Sequence, residues 1–298
     1  MKVLITGASG FIGGKLLDAA IAAWGDGNVV AFSSQKNTKC TSIVYQRELV
    51  DFGLSAPDIT LLETIETILH IGAFIPKNGG EANAISACNE NIFFTEQLLK
   101  LPFNNLKKVV FTSTVDVYSA EPKISELTPT QPATLYGWSK LYCEQLVSIF
   151  AAQKGISSQI LRVGHVYGPG EEKFAKFMPK TIKSIVNGGG VELYGDGSEL
   201  RSFIYIDDVI KAILASVNLD ENAGVINLVG GHAVSIKEVL DKLILLSGRS
   251  VEVIAKDFNG VKRDLVFDNE KLKKYLLPAE TDFTTGLSTE FAYFENLK

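Results

Sequence analysis

The feature that most constrains this chain is a glycine-rich turn set between a buried strand and a helix. Lys2-Val3-Leu4-Ile5 is a short apolar run, and Gly7-Ala8-Ser9-Gly10-Phe11-Ile12-Gly13 follows it almost at once. From Phe11 to Trp24 the apolar residues recur at helical spacing, which predicts Ile12, Leu16, Ala19, Ala20 and Ala23 on one face. Glycine permits the tight turn and lets backbone N–H groups approach a bound group closely. The helix that opens there adds partial positive charge at its N-terminus, so the turn suits a pyrophosphate. The spacing is GxxGxxG rather than GxGxxG, and an ordinary glycine-rich strand–helix turn is the plain alternative.

Short apolar runs then alternate with longer helical patterns. Val29–Phe32, Ile68–Ile71, Lys108–Phe111 and Gln159–Arg162 read as strands. Helices are predicted over about 81–100 and 136–153. Strands apolar on both faces, with helices between them, imply a doubly wound parallel sheet. After Arg162 the elements are shorter and mixed: a Gly168-Pro169-Gly170 loop, a helix over 174–186, a glycine turn at 188–190 and the strand Val191–Tyr194. A second, smaller lobe is expected from about Gly164, with parts near 203–230 returning to the first.

Composition narrows the function classes. Of 298 residues 46% are hydrophobic, which excludes a mostly disordered chain. Net charge is −5, so a broad nucleic-acid surface is not expected. Cys40, Cys88 and Cys143 are far apart, and His70, His165 and His232 lack metal-motif spacing, so neither a disulfide framework nor a metal centre is expected. With neither a signal-peptide pattern nor an apolar run near 18 residues, the expectation is a cytoplasmic protein.

The chemistry is carried by Tyr136-Gly137-Trp138-Ser139-Lys140. Four residues apart on a helix, Tyr136 and Lys140 share a face. A nearby ammonium favours a phenolate, so Lys140 is expected to lower the Tyr136 pKa, and Tyr136 would move the proton of a substrate hydroxyl or carbonyl. Thr114 ends a strand, where its hydroxyl would project over the carboxyl edge of the sheet and bond the same substrate oxygen; capping a turn is the other reading. No carboxylate ends the second strand to hold an adenosine ribose. Ser33 stands there, with Lys36 and Lys39 nearby, so NAD and NADP are both open. Asp51 is placed for an adenine contact or a solvated loop.

Gly7–Gly13, Thr114, Tyr136 and Lys140 together resemble an extended short-chain dehydrogenase/reductase. Asn91, Leu161-Arg162 with Val166–Gly170, Tyr194–Gly197 with Arg201, and Tyr205–Asp208 extend the match over nearly the whole chain. The likeness is to the NAD-dependent epimerase/dehydratase branch that acts on nucleotide sugars. It implies a Rossmann-type NAD(P)-binding domain over 1–163 and a mainly substrate-binding lobe over 164–298. For the cofactor it implies Gly7, Gly10, Phe11, Ile12, Gly13, Ser33, Asp51, Ala73, Asn91, Tyr136 and Lys140. For a nucleotide-diphosphate sugar it implies Thr114, His165, Tyr194, Arg201 and, more weakly, Arg263. It also implies a homodimer through the helices near 81–100 and 136–153, the alternative being that their apolar faces are buried wholly within the monomer.

Three departures bear on the reaction. The acid after the second strand is missing. His165 stands where members often carry asparagine, as a diphosphate contact or a packed histidine. Val115 stands where nucleotide-sugar 4,6-dehydratases resemble Thr-Asp-Glu, so the acid for water elimination is absent. The reading is a nucleotide-sugar 4-epimerase; the alternatives are an NADPH-dependent reductase of a 4-keto-6-deoxy sugar nucleotide and a cofactor-bound sensor without catalysis.

Overall fold

The computed structural model describes residues 1–46, 49, 52–219, 223–258, 260 and 262–297. In chain order the strands are β1 (Val3–Thr6), β2 (Val29–Ser33), β3 (Thr41–Val44), β4 (Thr67–His70), β5 (Lys108–Thr114), β6 (Ser157–Val163), β7 (His165–Tyr167), β8 (Val191–Tyr194), β9 (Leu200–Tyr205), β10 (Ile226–Leu228), β11 (Ala233–Ser235) and β12 (Val253–Lys256). The helices are α1 (Phe11–Trp24), α2 (Ala56–Leu62), α3 (Ile85–Leu99), α4 (Leu135–Lys154), α5 (Phe177–Val186), α6 (Ile206–Val217), α7 (Ile236–Ser247), α8 (Glu270–Tyr275) and α9 (Phe283–Asn296).

Seven strands form one sheet in the order β10-β6-β5-β4-β1-β2-β3. β1 is parallel to β2 and β4, β2 to β3, and β5 to β4 and β6. β1, β2, β4 and β5 are buried along their full length, which is why they read as unbroken apolar runs. Register places Thr6 beside His70 and His70 beside Phe111, and β5 runs three residues further to Thr114. The row Thr6–His70–Phe111 therefore marks the carboxyl edge, beyond which Thr114 projects. The order reverses after β1, the place where open α/β sheets bind ligands.

Two compact units divide the chain. The first is Met1–Ser119, Thr130–Val163 and Ile210–Ile226; the second is Ala120–Pro129, Gly164–Val209 and Asn227–Lys298. In the second, β9 pairs antiparallel with β11 and parallel with β7, while β8 and β12 form a parallel pair. Ala120–Pro129 is tied into it by the Ile124 N–H on the Val266 carbonyl and by Lys123 on Asp268.

Local departures from the sequence reading have identifiable causes. The buried stripe of α1 is Gly13, Leu16, Leu17 and Ala20, and Ala23 is exposed. A side chain on Gly13 would sit 2.0 Å from the Gly7 carbonyl oxygen. That contact between helix and turn sets the rotation of α1. β3 went unrecognised because, on the sheet's edge, only Ile43 of its four residues is buried. The predicted helix over 81–100 is a 3₁₀ turn, Glu81–Asn83, followed by α3. No helix among the described residues is long and apolar enough to cross a membrane.

Candidate active site

Gly7 adopts φ +69, and a side chain there would lie 2.5 Å from the Gly72 Cα. Two backbones thus meet where only glycine fits. Gly10 is the N-cap of α1; its N–H reaches the Gly7 carbonyl at 2.9 Å, and no side chain caps the helix. No acid occupies the first turn. The first N–H groups of a helix lack intrahelical acceptors, so Phe11, Ile12 and Gly13 stand at a positive helix end suited to phosphate. At the end of β2, Ser33 is buried and its hydroxyl donates to the Gln35 carbonyl at 2.5 Å. With the proton committed, Ser33 offers lone pairs outward, which suits a ribose hydroxyl and not a phosphate. Lys39 is paired with Asp18 at 2.6 Å. Asp51 lies outside the described residues.

Tyr136 is the second residue of α4, whose N-cap Thr134 accepts the Gly137 N–H at 3.1 Å. A side chain on Gly137 would come within 2.6 Å of the Asp116 carbonyl oxygen, so the helix start sits close on the 3₁₀ turn Val115–Val117. Thr114 caps that turn through the Asp116 N–H at 3.2 Å, and its hydroxyl acts to lower the Tyr136 pKa. The capping reading of Thr114 is thus realised. The stripe Tyr136, Lys140, Cys143, Glu144 and Val147 is buried at helical spacing. The Lys140 ammonium lies 4.2 Å above the Phe111 ring.

Burial and the Asp116 carboxylate push the Tyr136 phenol above its ordinary pKa, against the Thr114 hydroxyl. The direction is opposite to the one expected from Lys140, because burial, the largest cause, disfavours the phenolate. Burial likewise lowers Lys140 to about 8. A buried ammonium near an aromatic face is thereby poised to gain or lose its proton close to neutrality.

Asn91 in α3 brackets the irregular segment that follows β4. Its oxygen accepts the Phe74 N–H at 2.7 Å, and its amide donates to the Phe74 carbonyl and to Ser139 Oγ, each at 3.3 Å. The side chain is spent on holding Ala73–Phe74 and α4 in place. Sequence reasoning passed over two further buried groups. His70 lies between Thr6 and Thr95 at 2.9 and 3.0 Å. Glu144 receives Arg162 through bonds of 2.9 and 2.7 Å. The signals were present: a histidine inside an apolar strand, and an acid one turn after Lys140.

The second unit holds the other expected residues. His165 in β7 meets Phe203 edge-on at 6.0 Å, and its Nδ1 is buried without a partner. Burial, then the charges of Arg201 and Lys176, lowers its pKa to about 4, so the ring is neutral. Arg201 in β9 donates one nitrogen to the carbonyls of Leu200 and Arg263, at 2.8 and 2.7 Å. Arg263 itself is exposed. Tyr194 is exposed at the end of β8, its hydroxyl on Glu192 at 3.0 Å.

Comparison with known proteins agrees with this geometry. The NAD dependent epimerase/dehydratase family matches residues 3–229. An uncharacterized UDP-glucose epimerase of Bacillus subtilis is 29% identical over 314 residues, covering 100% of this chain and 99% of its own. The crystal structure of UDP-glucuronic acid 4-epimerase from Bacillus cereus in complex with NAD superposes with TM-score 0.84 at 26% identity, covering 100% of this chain and 97% of that one. UDP-N-acetylglucosamine 4-epimerase from Methanobrevibacter ruminantium, in complex with UDP-N-acetylmuramic acid, gives 0.86 at 26% identity, covering 100% and 99%. With the glycine turn after β1, the Tyr136–Lys140 stripe and a family match over most of its length, this chain belongs to the NAD dependent epimerase/dehydratase family.

Proposed function

We propose that this protein is a nucleotide-sugar 4-epimerase that uses NAD and takes UDP-sugars. The observation that carries the reading is the buried group Tyr136–Thr114–Lys140 at the carboxyl edge of the sheet, with valine at position 115 beside it. A water elimination needs an acid that Val115 cannot supply, which favours reversal at one carbon over dehydration.

The Gly7–Gly13 turn would hold the cofactor pyrophosphate, Ser33 the adenosine ribose, and Lys140 the nicotinamide ribose. NAD, when bound, supplies reversible acceptance and return of a hydride. Tyr136, as the phenolate, would take the C4 hydroxyl proton as a 4-keto sugar forms, and return it to the C4 oxygen once the sugar has turned over. Thr114 would donate to the Tyr136 oxygen, stabilising the phenolate. Lys140 supplies positive charge on the same helix face. Arg201, anchored by two carbonyls, would clamp the diphosphate with its remaining donors. His165, being neutral, serves as a hydrogen-bonding neighbour rather than a counter-charge.

The committed Ser33 proton weighs against an NADPH-dependent reductase. Purified protein incubated with UDP-glucose, UDP-glucuronic acid and UDP-N-acetylglucosamine tests the reading: C4-epimer formation with catalytic NAD supports it, and no epimer from any of them, with NADPH oxidised when a UDP-4-keto-6-deoxy sugar is supplied, refutes it.

The faces of α3 and α4 carry an apolar groove of about 640 Å³ lined by Ile85, Ile92, Leu135, Trp138 and Tyr142. Ile85, Trp138 and Tyr142 are more than half exposed. The paired helices offer an apolar surface that a second copy of the chain would cover about a twofold axis, and this is the proposed homodimer interface.

A further inference from the structure

His70 ends β4, one register step from Thr6 and from Phe111. It is 1% exposed, and each ring nitrogen faces a threonine hydroxyl. The directions of these bonds can be worked out. Thr6 Oγ1 accepts the N–H groups of Ile71 and Gly72, at 3.0 and 2.9 Å. Both of its lone pairs are then used, so its own proton goes to His70 Nδ1. Nδ1 is therefore bare and the ring proton sits on Nε2, which donates to Thr95 Oγ1. Thr95 passes its proton on to the Asn91 carbonyl at 2.8 Å. Asn91 in turn binds Phe74 and Ser139, and Ser139 bonds the Tyr136 carbonyl at 2.8 Å. Two hydrogen-bonded runs thus meet at Asn91, one from Gly72, which backs the phosphate turn at Gly7, to the Asn91 carbonyl, and one from the Asn91 side-chain amide through Ser139 to the first turn of α4.

The same ring borders the catalytic cation. His70 and Lys140 share the Phe111 ring, whose centroid lies 5.1 Å from the imidazole and 4.2 Å from the ammonium. A charged imidazole there would repel Lys140. Two further titratable groups act on Lys140: Cys143, which reaches the Asn91 carbonyl at 3.4 Å, and Glu144, which is paired with Arg162.

We propose that His70 is a positioning residue for the Tyr136–Lys140 pair: fixed as the neutral Nε2–H tautomer by Thr6 and Thr95, it links the phosphate turn to α4 and keeps an uncharged ring beside Lys140. This rests on the reading of Tyr136 and Lys140 as the reacting groups. It assigns His70 no proton transfer, since neither nitrogen has a free partner to exchange with.

The test has two arms on the full-length chain with NAD. In the first, long-range proton–nitrogen spectra of ¹⁵N-labelled protein are recorded, with His70 assigned by its loss in His70→Gln. The expected signal is a neutral Nε2–H ring that does not titrate between pH 8 and 5. A Nδ1–H tautomer, or charging within that window, overturns the proposal. Thr95→Val, which deletes only the acceptor, is expected to shift the Nε2 signal; an unchanged signal overturns the proposal. In the second arm, turnover of UDP-glucose is measured. His70→Leu is expected to lower kcat by ~10-fold or more with KM within ~3-fold, as displacement of reacting groups does. His70→Gln, which keeps a donor and an acceptor, is expected to recover most of the loss. A folded His70→Leu with wild-type kcat overturns the proposal. Wild-type protein that turns over no UDP-sugar contradicts the function proposed above, while the tautomer arm still decides for or against His70.

Discussion

Glu144 accepts two parallel hydrogen bonds from Arg162, at 2.9 and 2.7 Å, one helical turn beyond Lys140. Both side chains are almost fully buried, and the guanidinium also lies 4.6 Å from the Tyr118 ring. The pair fastens α4 to β6. Breaking such a pair from one side leaves an uncompensated buried charge, which typically costs about 3–5 kcal/mol. Glu144→Ala is therefore expected to destabilise the fold by that order in chemical denaturation, and a loss below ~1 kcal/mol would contradict the packing role.

Lys140 is expected to trade stability for chemistry. Burial lowers its pKa from 10.5 to about 8, so between those values the unfolded chain holds more protons than the folded one. Stability from this residue accordingly rises with pH through that window, and at neutral pH the buried charge costs about 3 kcal/mol. Lys140→Met should raise the melting temperature while abolishing turnover. A variant that is inactive and also less stable would show that the ammonium is held by favourable contacts instead.

His70 shows the complementary acid behaviour. Burial, followed by the Lys140 charge, lowers its pKa from 6.5 to about 3. Below pH 6.5 the unfolded chain binds a proton that the folded one refuses until about pH 3, so stability falls as pH drops across that range. The full effect is about 5 kcal/mol. Urea denaturation of wild type and His70→Gln between pH 7 and 4 should show a steeper loss in wild type; parallel curves would mean the ring protonates in the fold.

The helix face carrying Trp138 and Tyr142 is expected to be an interface. Tyr142→Glu places a charge on it and should yield a monomer by sedimentation velocity where the wild type is a dimer. A monomeric wild type would remove the homodimer from the account.

Much of this architecture was legible from residues because parallel strands buried on both faces read as plain apolar runs, and because Gly7 and Gly13 are demanded by backbone contacts that no other residue permits. Tyr136 and Lys140 were visible through one helical spacing. What stayed hidden depends on tertiary contact. The phase of α1 follows from Gly13 meeting Gly7, and β3 buries too little to show a pattern. The partners of His70, on β1 and α3, are 64 and 25 residues away in sequence. The rise in the Tyr136 pKa comes from burial and from Asp116, which the sequence alone does not weigh against Lys140.

Tyr136 carries the proposed chemistry, so Tyr136→Phe should lower turnover by ~10²–10⁴-fold while leaving NAD affinity near that of wild type. A folded variant with near-normal turnover would assign the proton transfer elsewhere.

The most direct test of the central claim is conversion of a UDP-sugar in D₂O, with catalytic NAD, followed by proton NMR. The account predicts the C4 epimer with hydrogen, not deuterium, at C4, because the hydride removed from the sugar is the one returned, and with no net change in NAD. A 4-keto-6-deoxy product, deuterium at C4, or stoichiometric reduction of NAD would contradict it.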